Sequence, residues 1–212
     1  MAQRLHRLGV SANFLTFLGL FLALCASWFI FKGSFFIAGA VLLLSGLFDL
    51  LDGAVARASG TPSKFGGILD SSLDRYGDGL IMGGVVFFYA ELNQPLYMAL
   101  GISALLGFFS ISYVRARAEC EMKNCRVGFW ERGERIVFIA LSLFFNNLEA
   151  ALWILGIGTH WTVLQRLLFS RYQMKEIPSS SQVFWKAPSR SSIPYFTKIL
   201  ALIFLLIFLK PV

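Results

Sequence analysis

Five aspartates, Asp49, Asp52, Asp70, Asp74 and Asp78, interrupt sequence that is otherwise as apolar as lipid-facing protein. Carboxylates are costly in a bilayer, so this cluster is where chemistry is to be sought. Asp49 and Asp52 stand three residues apart and Asp70 and Asp74 four apart, so each pair occupies one face of a helix. Brought together without a counter-charge, the carboxylates would repel one another and retain protons. A divalent cation reverses that balance. Oxygen donors with no nearby His or Cys favour Mg2+ or Mn2+, and four carboxylates can hold two such ions through shared oxygens. Two-ion clamps suit displacement at phosphorus, because they stabilise the oxygens around a reacting phosphoryl group. The other chemistry open to such a cluster is a proton or cation pathway.

The elements that must position these groups are membrane helices. The chain of 212 residues is 57% hydrophobic and 15% charged, with a mean hydropathy of +0.67, which excludes an ordinary soluble domain. Apolar runs near residues 13–31, 34–48, 80–92, 96–114, 136–145 and 152–168 give six transmembrane helices, the shorter runs borrowing length from polar extensions. The expected fold class is all-α integral membrane. A short basic amphipathic helix at 1–10 precedes the six, and the apolar segment 193–209 is a possible seventh. No small-residue cleavage site follows Phe31, so the first run is read as a retained helix. Residues 1–172 then form one membrane domain, 173–192 a flexible tail rich in serine with two prolines, and 193–212 a possible extra membrane helix.

The second helix is expected to end near Ala58, before the turn Gly60-Thr61-Pro62-Ser63, and the third to run from Lys64 to Leu92 as its antiparallel partner. At about 1.5 Å per residue from that turn, Asp52 lies about 12 Å and Asp49 about 16 Å along one helix. Asp70 lies about 10 Å and Asp74 about 16 Å along the other, so the four meet at one level. Gly53, Ala56, Gly66 and Gly67 leave open space beside them, through which a bulky diphosphate could approach the backbone.

Charge fixes the orientation. Alternate connecting segments carry most of the Arg and Lys, among them Arg57, Arg115, Arg126, Arg135 and Arg171, whereas the opposite segments carry Lys32, Glu91 and Glu149. The asymmetry places both ends of the six-helix unit, and the cluster, on the cytoplasmic side. The net charge of +7 is therefore topological and calls for no nucleic-acid partner. No acidic residue lies deep in helices one, four, five or six to continue an ion path. Cys25, Cys120 and Cys125 are an odd set and read as reduced thiols.

The stretch Asp49-x2-Asp52-Gly53-x2-Ala56-Arg57-x8-Gly66-x3-Asp70-x3-Asp74 resembles, at every typed position, the signature of the CDP-alcohol phosphotransferase family. The resemblance covers about residues 11–171, including Ser11-Ala12-Asn13-Phe14-Leu15-Thr16 at the first helix entry, with Ala12 where proline is usual. It implies six transmembrane helices, a homodimer, two divalent metals (Mg2+ or Mn2+) and a cavity facing the cytoplasm of a bacterium or archaeon. It also implies that Asp49, Asp52, Asp70 and Asp74 are metal ligands and that Asp74 is the general base. Gly53, Ala56, Arg57 and Gly66, with Thr16, Asp52 and Asp70, would bind the nucleotide. The implied reaction is attack of an acceptor hydroxyl on the lipid-bearing phosphorus of a CDP-lipid, with CMP leaving.

The segments Ser112–Glu119 and Gly128–Arg135 look like the branch of that family that makes phosphatidylinositol phosphate or its archaeal ether-lipid counterpart. In that branch a basic pocket holds the acceptor's phosphate. Arg115, Arg135 and Arg166 are the candidates, with Arg117 and Arg132 in reserve. Three guanidinium groups around a dianion supply bidentate contacts that a neutral alcohol would not require. A phosphatidylglycerophosphate synthase taking glycerol 3-phosphate could use a similar pocket. The plain account of the same arginines is topology plus salt bridges, for instance between Arg132 and Glu131 or Glu134. Asp78, one turn beyond Asp74, would tune the metals, bind a polyol hydroxyl or pair with Arg75 or another helix. Tyr76 is read as a packing residue, and His160 receives no catalytic role.

Overall fold

The computed structural model describes residues 11–58, 63–122 and 124–174. These form six helices: α1 (Ala12–Phe31), α2 (Phe35–Ala58), α3 (Lys64–Glu91), α4 (Pro95–Glu121), α5 (Arg132–Phe144) and α6 (Leu148–Gln173). Among the described residues there is no strand, as an all-α membrane fold requires. The helix expected at 1–10, residues 60–62 of the expected turn, the tail from residue 175 and the apolar segment 193–209 lie outside the described residues.

Local sequence sets the helix ends. Ser11 caps α1 by accepting from the Phe14 backbone N–H at 3.2 Å, and Ser63 caps α3 through the Gly66 N–H at 3.2 Å. At one end of the bundle the turns are tight, and each carries a left-handed residue: Gly33 (φ +71°), Asn93 (φ 53°) and Asn146 (φ 50°). Glycine and asparagine tolerate that conformation at a helix terminus. At the other end the connections 59–63 and 122–131 are longer, and the arginines collect there.

Two helices depart from their expected limits. The apolar run of α4 ends at residue 114, yet the helix continues to Glu121, because Arg115–Glu119 (3.1 Å) and Arg117–Glu121 (2.8 Å) support its polar end. α5 starts at Arg132, four residues before the apolar run at 136, and has 13 residues in all. That early start puts both Arg132 and Arg135 on one helix.

α1 packs on α2 and α3, α3 on α4, α4 on α6, and the short α5 sits between α2 and α6. Glycine permits the tightest crossings. A Cβ on Gly84 of α3 would stand 2.6 Å from the Ser27 carbonyl oxygen of α1, and one on Gly107 of α4 would meet Thr159 of α6. Close backbone approach at small residues is how helices associate where lipid supplies no hydrophobic drive. Outside, Phe14, Phe21, Trp28, Phe36, Leu50 and Phe87 are more than half exposed, a surface suited to acyl chains. By length and composition α1, α2 and α4 are apolar enough to cross a membrane. α3 carries Asp70, Asp74, Arg75 and Asp78, and α5 is only about 20 Å long.

Candidate active site

The expected packing of α2 directly against α3 is not observed: α1 packs on both, and the aspartate side chains of α2 and α3 reach toward one another beside it. One oxygen each from Asp49, Asp70 and Asp74 lies within 4.8 Å of the others. Asp52, expected at the same level, instead lies a turn nearer the arginine-rich end of α2, buried against α1 near Thr16, and does not join the converging trio. Asp52 Oδ2 and Asp70 Oδ1 are buried without a hydrogen-bond partner. A native protein seldom leaves anionic oxygens so. An oxygen-only donor set with orphaned carboxylate oxygens fits a hard divalent cation, as Mg2+ or Mn2+ would be.

A positive side chain enters from α5. Arg132 Nη1 contacts Asp49 Oδ2 and lies 2.8 Å from Asp74 Oδ1, while its Nε is 3.7 Å from Asp78 Oδ1. Arg135, one turn on, donates from Nη2 to Asp78 Oδ2 at 3.1 Å and stacks over Phe108 at 4.3 Å. Asp78 is 3% exposed, so it is a buried counter-ion to α5. Of the readings open for it, pairing with another helix is the one observed. Arg75 turns instead to Asp74, at 3.5 Å.

Beyond Arg132 opens a cavity of about 420 Å³, walled by Asp74, Arg75, Arg115, Arg132, Arg135 and Arg166 among others. Of the five candidate arginines the structure brings four together here. Arg117 is the exception: it is exposed, pairs with Glu121 at 2.8 Å, and does not line the cavity. Arg115 lines it while holding Glu119. Arg166 is anchored, donating from Nε to Val127 O at 2.9 Å and from Nη1 to Ile111 O at 2.7 Å. It thus ties the 122–131 segment and α4 to α6 as well as walling the cavity. Asp74 and Arg132 also border a smaller crevice with Asp49 and Thr16, so these two form the partition between the carboxylates and the arginine cavity.

The nucleotide-site candidates lie around the arginine-rich ends of α1, α2 and α3. Thr16 is buried, and Ala56 is half-buried. The guanidinium of exposed Arg57 folds over Gly53, where a Cβ would stand 3.3 Å from Nη1. Gly66 faces Asn13 and Ser63, and a Cβ on Gly67 would meet nothing within 4 Å. Tyr76 is 68% exposed, and His160 contacts Ser103 on α4.

The family model for CDP-alcohol phosphatidyltransferases matches residues 9–164, which takes in all six described helices apart from the end of α6. The chain belongs to the CDP-alcohol phosphatidyltransferase family. It is 33% identical over 176 residues to the archaetidylinositol phosphate synthase of Pyrococcus horikoshii, covering 82% of this chain and 91% of that one. The fold is similar to that of Mycobacterium tuberculosis phosphatidylinositol phosphate synthase with CDP-DAG bound, at a TM-score of 0.73 and 29% identity over 80% of this chain and 91% of that one. The same enzyme in complex with manganese and citrate matches at a TM-score of 0.71 and 31% identity, over 80% and 86% of the two chains. As a CDP-alcohol phosphatidyltransferase the protein is an integral membrane transferase of phospholipid synthesis in a metal-dependent family. The ion-pathway reading of its aspartates is thereby set aside.

Proposed function

We propose that this CDP-alcohol phosphatidyltransferase moves the phosphatidyl group of a CDP-lipid, diacyl or ether-linked, to a hydroxyl of an inositol-phosphate-type acceptor, releasing CMP. The observation that carries the reading is the partition. On one side of Asp74 and Arg132 lie the carboxylates, and on the other lies a cavity walled by arginines. Asp49, Asp52, Asp70 and Asp74 would hold two Mg2+ or Mn2+ ions. Such ions, when bound, neutralise the diphosphate and the charge developing on the departing nucleotide. Thr16, Gly53, Ala56, Arg57 and Gly66 would seat the cytidine diphosphate.

Asp74, reaching both compartments, takes the proton of the acceptor hydroxyl as the new oxygen–phosphorus bond forms and the bond to CMP breaks. Arg115, Arg135 and Arg166 orient the acceptor's phosphate through charge-assisted hydrogen bonds. The synthases of inositol lipids to which the chain is similar in sequence and structure support this acceptor. The reading includes six crossings, an active site open to the cytoplasm of a bacterium or archaeon, a homodimer, and residues 1–172 as the membrane domain. The segments 173–192 and 193–212 would be a tail and an added membrane helix.

The test is CMP release by purified protein with CDP-diacylglycerol or its ether analogue and Mg2+, with inositol 1-phosphate, free inositol and glycerol 3-phosphate in competition. Inositol 1-phosphate is expected to win. A clear preference for glycerol 3-phosphate would make the protein a phosphatidylglycerophosphate synthase, and a preference for free inositol would remove the role of the arginine cavity. No metal-dependent release with any acceptor would overturn the reaction itself.

A further inference from the structure

We infer that Arg132 makes binding of the acceptor's phosphate depend on loading of the metal ions, because it competes with those ions for Asp49 and Asp74. The inference rests on the proposed function and adds an order of binding to it. Arg132 Nη1 is in ion-pair contact with one oxygen of Asp49 and one of Asp74, and both residues belong to the trio whose oxygens converge. A guanidinium and a divalent cation cannot both take those oxygens at close range. Arg132 is also part of the wall of the arginine cavity. Its charge is therefore shared between two anionic partners, the carboxylates and a phosphate in the cavity.

The contacts of Arg132 differ in kind from those of its neighbours. Arg166 is fixed by two directed bonds to backbone carbonyls, at 2.9 and 2.7 Å. Arg135 donates to buried Asp78. Arg132, by contrast, has only carboxylates as its partners, Nη1 at Asp49 and at Asp74 (2.8 Å) and Nε 3.7 Å from Asp78, and Asp49 and Asp74 are the groups that the ions would also claim. Such a side chain is released when a divalent charge takes over its carboxylates. Its guanidinium then counts toward the phosphate instead. Before loading, the arginine is committed to the carboxylates and the cavity is one cation poorer. CDP-lipid brings its diphosphate to the metal side, so the acceptor would bind more weakly before the ions are in place than after, and binding of the ions would favour its entry.

Linkage makes the inference measurable without turnover, since coupling between two ligands is reciprocal. In wild-type protein without CDP-lipid, saturating Mn2+ should tighten inositol 1-phosphate about tenfold, and the phosphate should tighten Mn2+ by the same factor. Calorimetric titration reads both directions. In R132Q the Mn2+ should bind more tightly than in wild type, and the coupling should fall below twofold. R132K keeps the charge but has a single nitrogen to divide between the two sides, so its coupling should fall at least threefold; it serves where R132Q does not fold. Coupling below twofold in the wild type would overturn the inference. Wild-type coupling retained in R132Q or R132K would also overturn it, because the ions' own charge would then be drawing in the phosphate. CMP release measured on the same preparation separates the two proposals: release without coupling sinks only the role of Arg132, and no release sinks the reaction.

Discussion

Asp74 has more neighbours of consequence than any other aspartate of the cluster: Arg75 at 3.5 Å, Arg132 at 2.8 Å, and the converging oxygens of Asp49 and Asp70. It alone among the four motif aspartates also borders the arginine cavity. A proposed base must reach the acceptor hydroxyl, and an amide in its place keeps the shape but cannot take the proton. Asp74→Asn is therefore expected to lower turnover by a factor of about 100 or more. CDP-lipid binding should survive, because Asp49, Asp52 and Asp70 remain. Equilibrium binding of the CDP-lipid beside single-turnover CMP release checks this, and near-wild-type rates would remove Asp74 as base. Spacing made the aspartates legible, since positions three and four apart on a helix are neighbours whatever the rest of the chain does. The arginine partners were not legible in that way. Arg135 and Asp78 are 57 residues apart, and their pairing depends on how α5 packs, which no local pattern encodes.

Helices and their boundaries were read largely from apolar runs, and that signal fails where a helix leaves the apolar layer. α4 runs on past its hydrophobic stretch on two i, i+4 ion pairs, and α5 opens with Arg132-Gly133-Glu134-Arg135, which composition alone assigns to a loop. The glycines of the helix contacts were visible as residues, but their partners emerged only from the packing. Gly107 shows what such a contact requires. Its α-carbon lies against Thr159, whose own hydroxyl is committed to the Leu155 carbonyl at 2.6 Å. Gly107→Ala would force α4 and α6 apart and loosen the hold of Arg166, on α6, upon Ile111 O of α4. The expected cost is about 1–3 kcal/mol, read as a lowered midpoint of thermal unfolding in detergent. Gly67→Ala, where the added methyl meets nothing, is the control and should leave the midpoint unchanged or slightly raised, since alanine favours the helix over glycine. Equal midpoints for the two variants would show that the α4–α6 contact does not require glycine at 107.

Across the whole molecule the two ends of the bundle differ in both geometry and charge. Tight left-handed turns at Gly33, Asn93 and Asn146 close one end, and longer connections with the arginines, the carboxylate cluster and the cavity occupy the other. Arginines and lysines are retained on the cytoplasmic side of membranes, so the proposed orientation puts the site where soluble phosphorylated acceptors are found. Native cysteines offer a direct test. Cys120 is exposed near the arginine-rich end of α4, whereas Cys125 is buried and Cys25 lies half-buried within α1. In intact cells a membrane-impermeant maleimide should leave Cys120 unmodified and should react with it once the membrane is opened. Glu91→Cys, placed at the exposed end of α3 beside the Asn93 turn in a variant with Cys120→Ser, should show the reverse order, reacting in intact cells. Both positions are exposed to solvent-sized reagents, so a difference between them reports sidedness and not burial. Labelling of Cys120 in intact cells would invert the topology, and with it the supply of both CDP-lipid head groups and phosphorylated acceptor to the site. Equal labelling of the two positions before permeabilisation would mean that the helices do not separate them across the membrane.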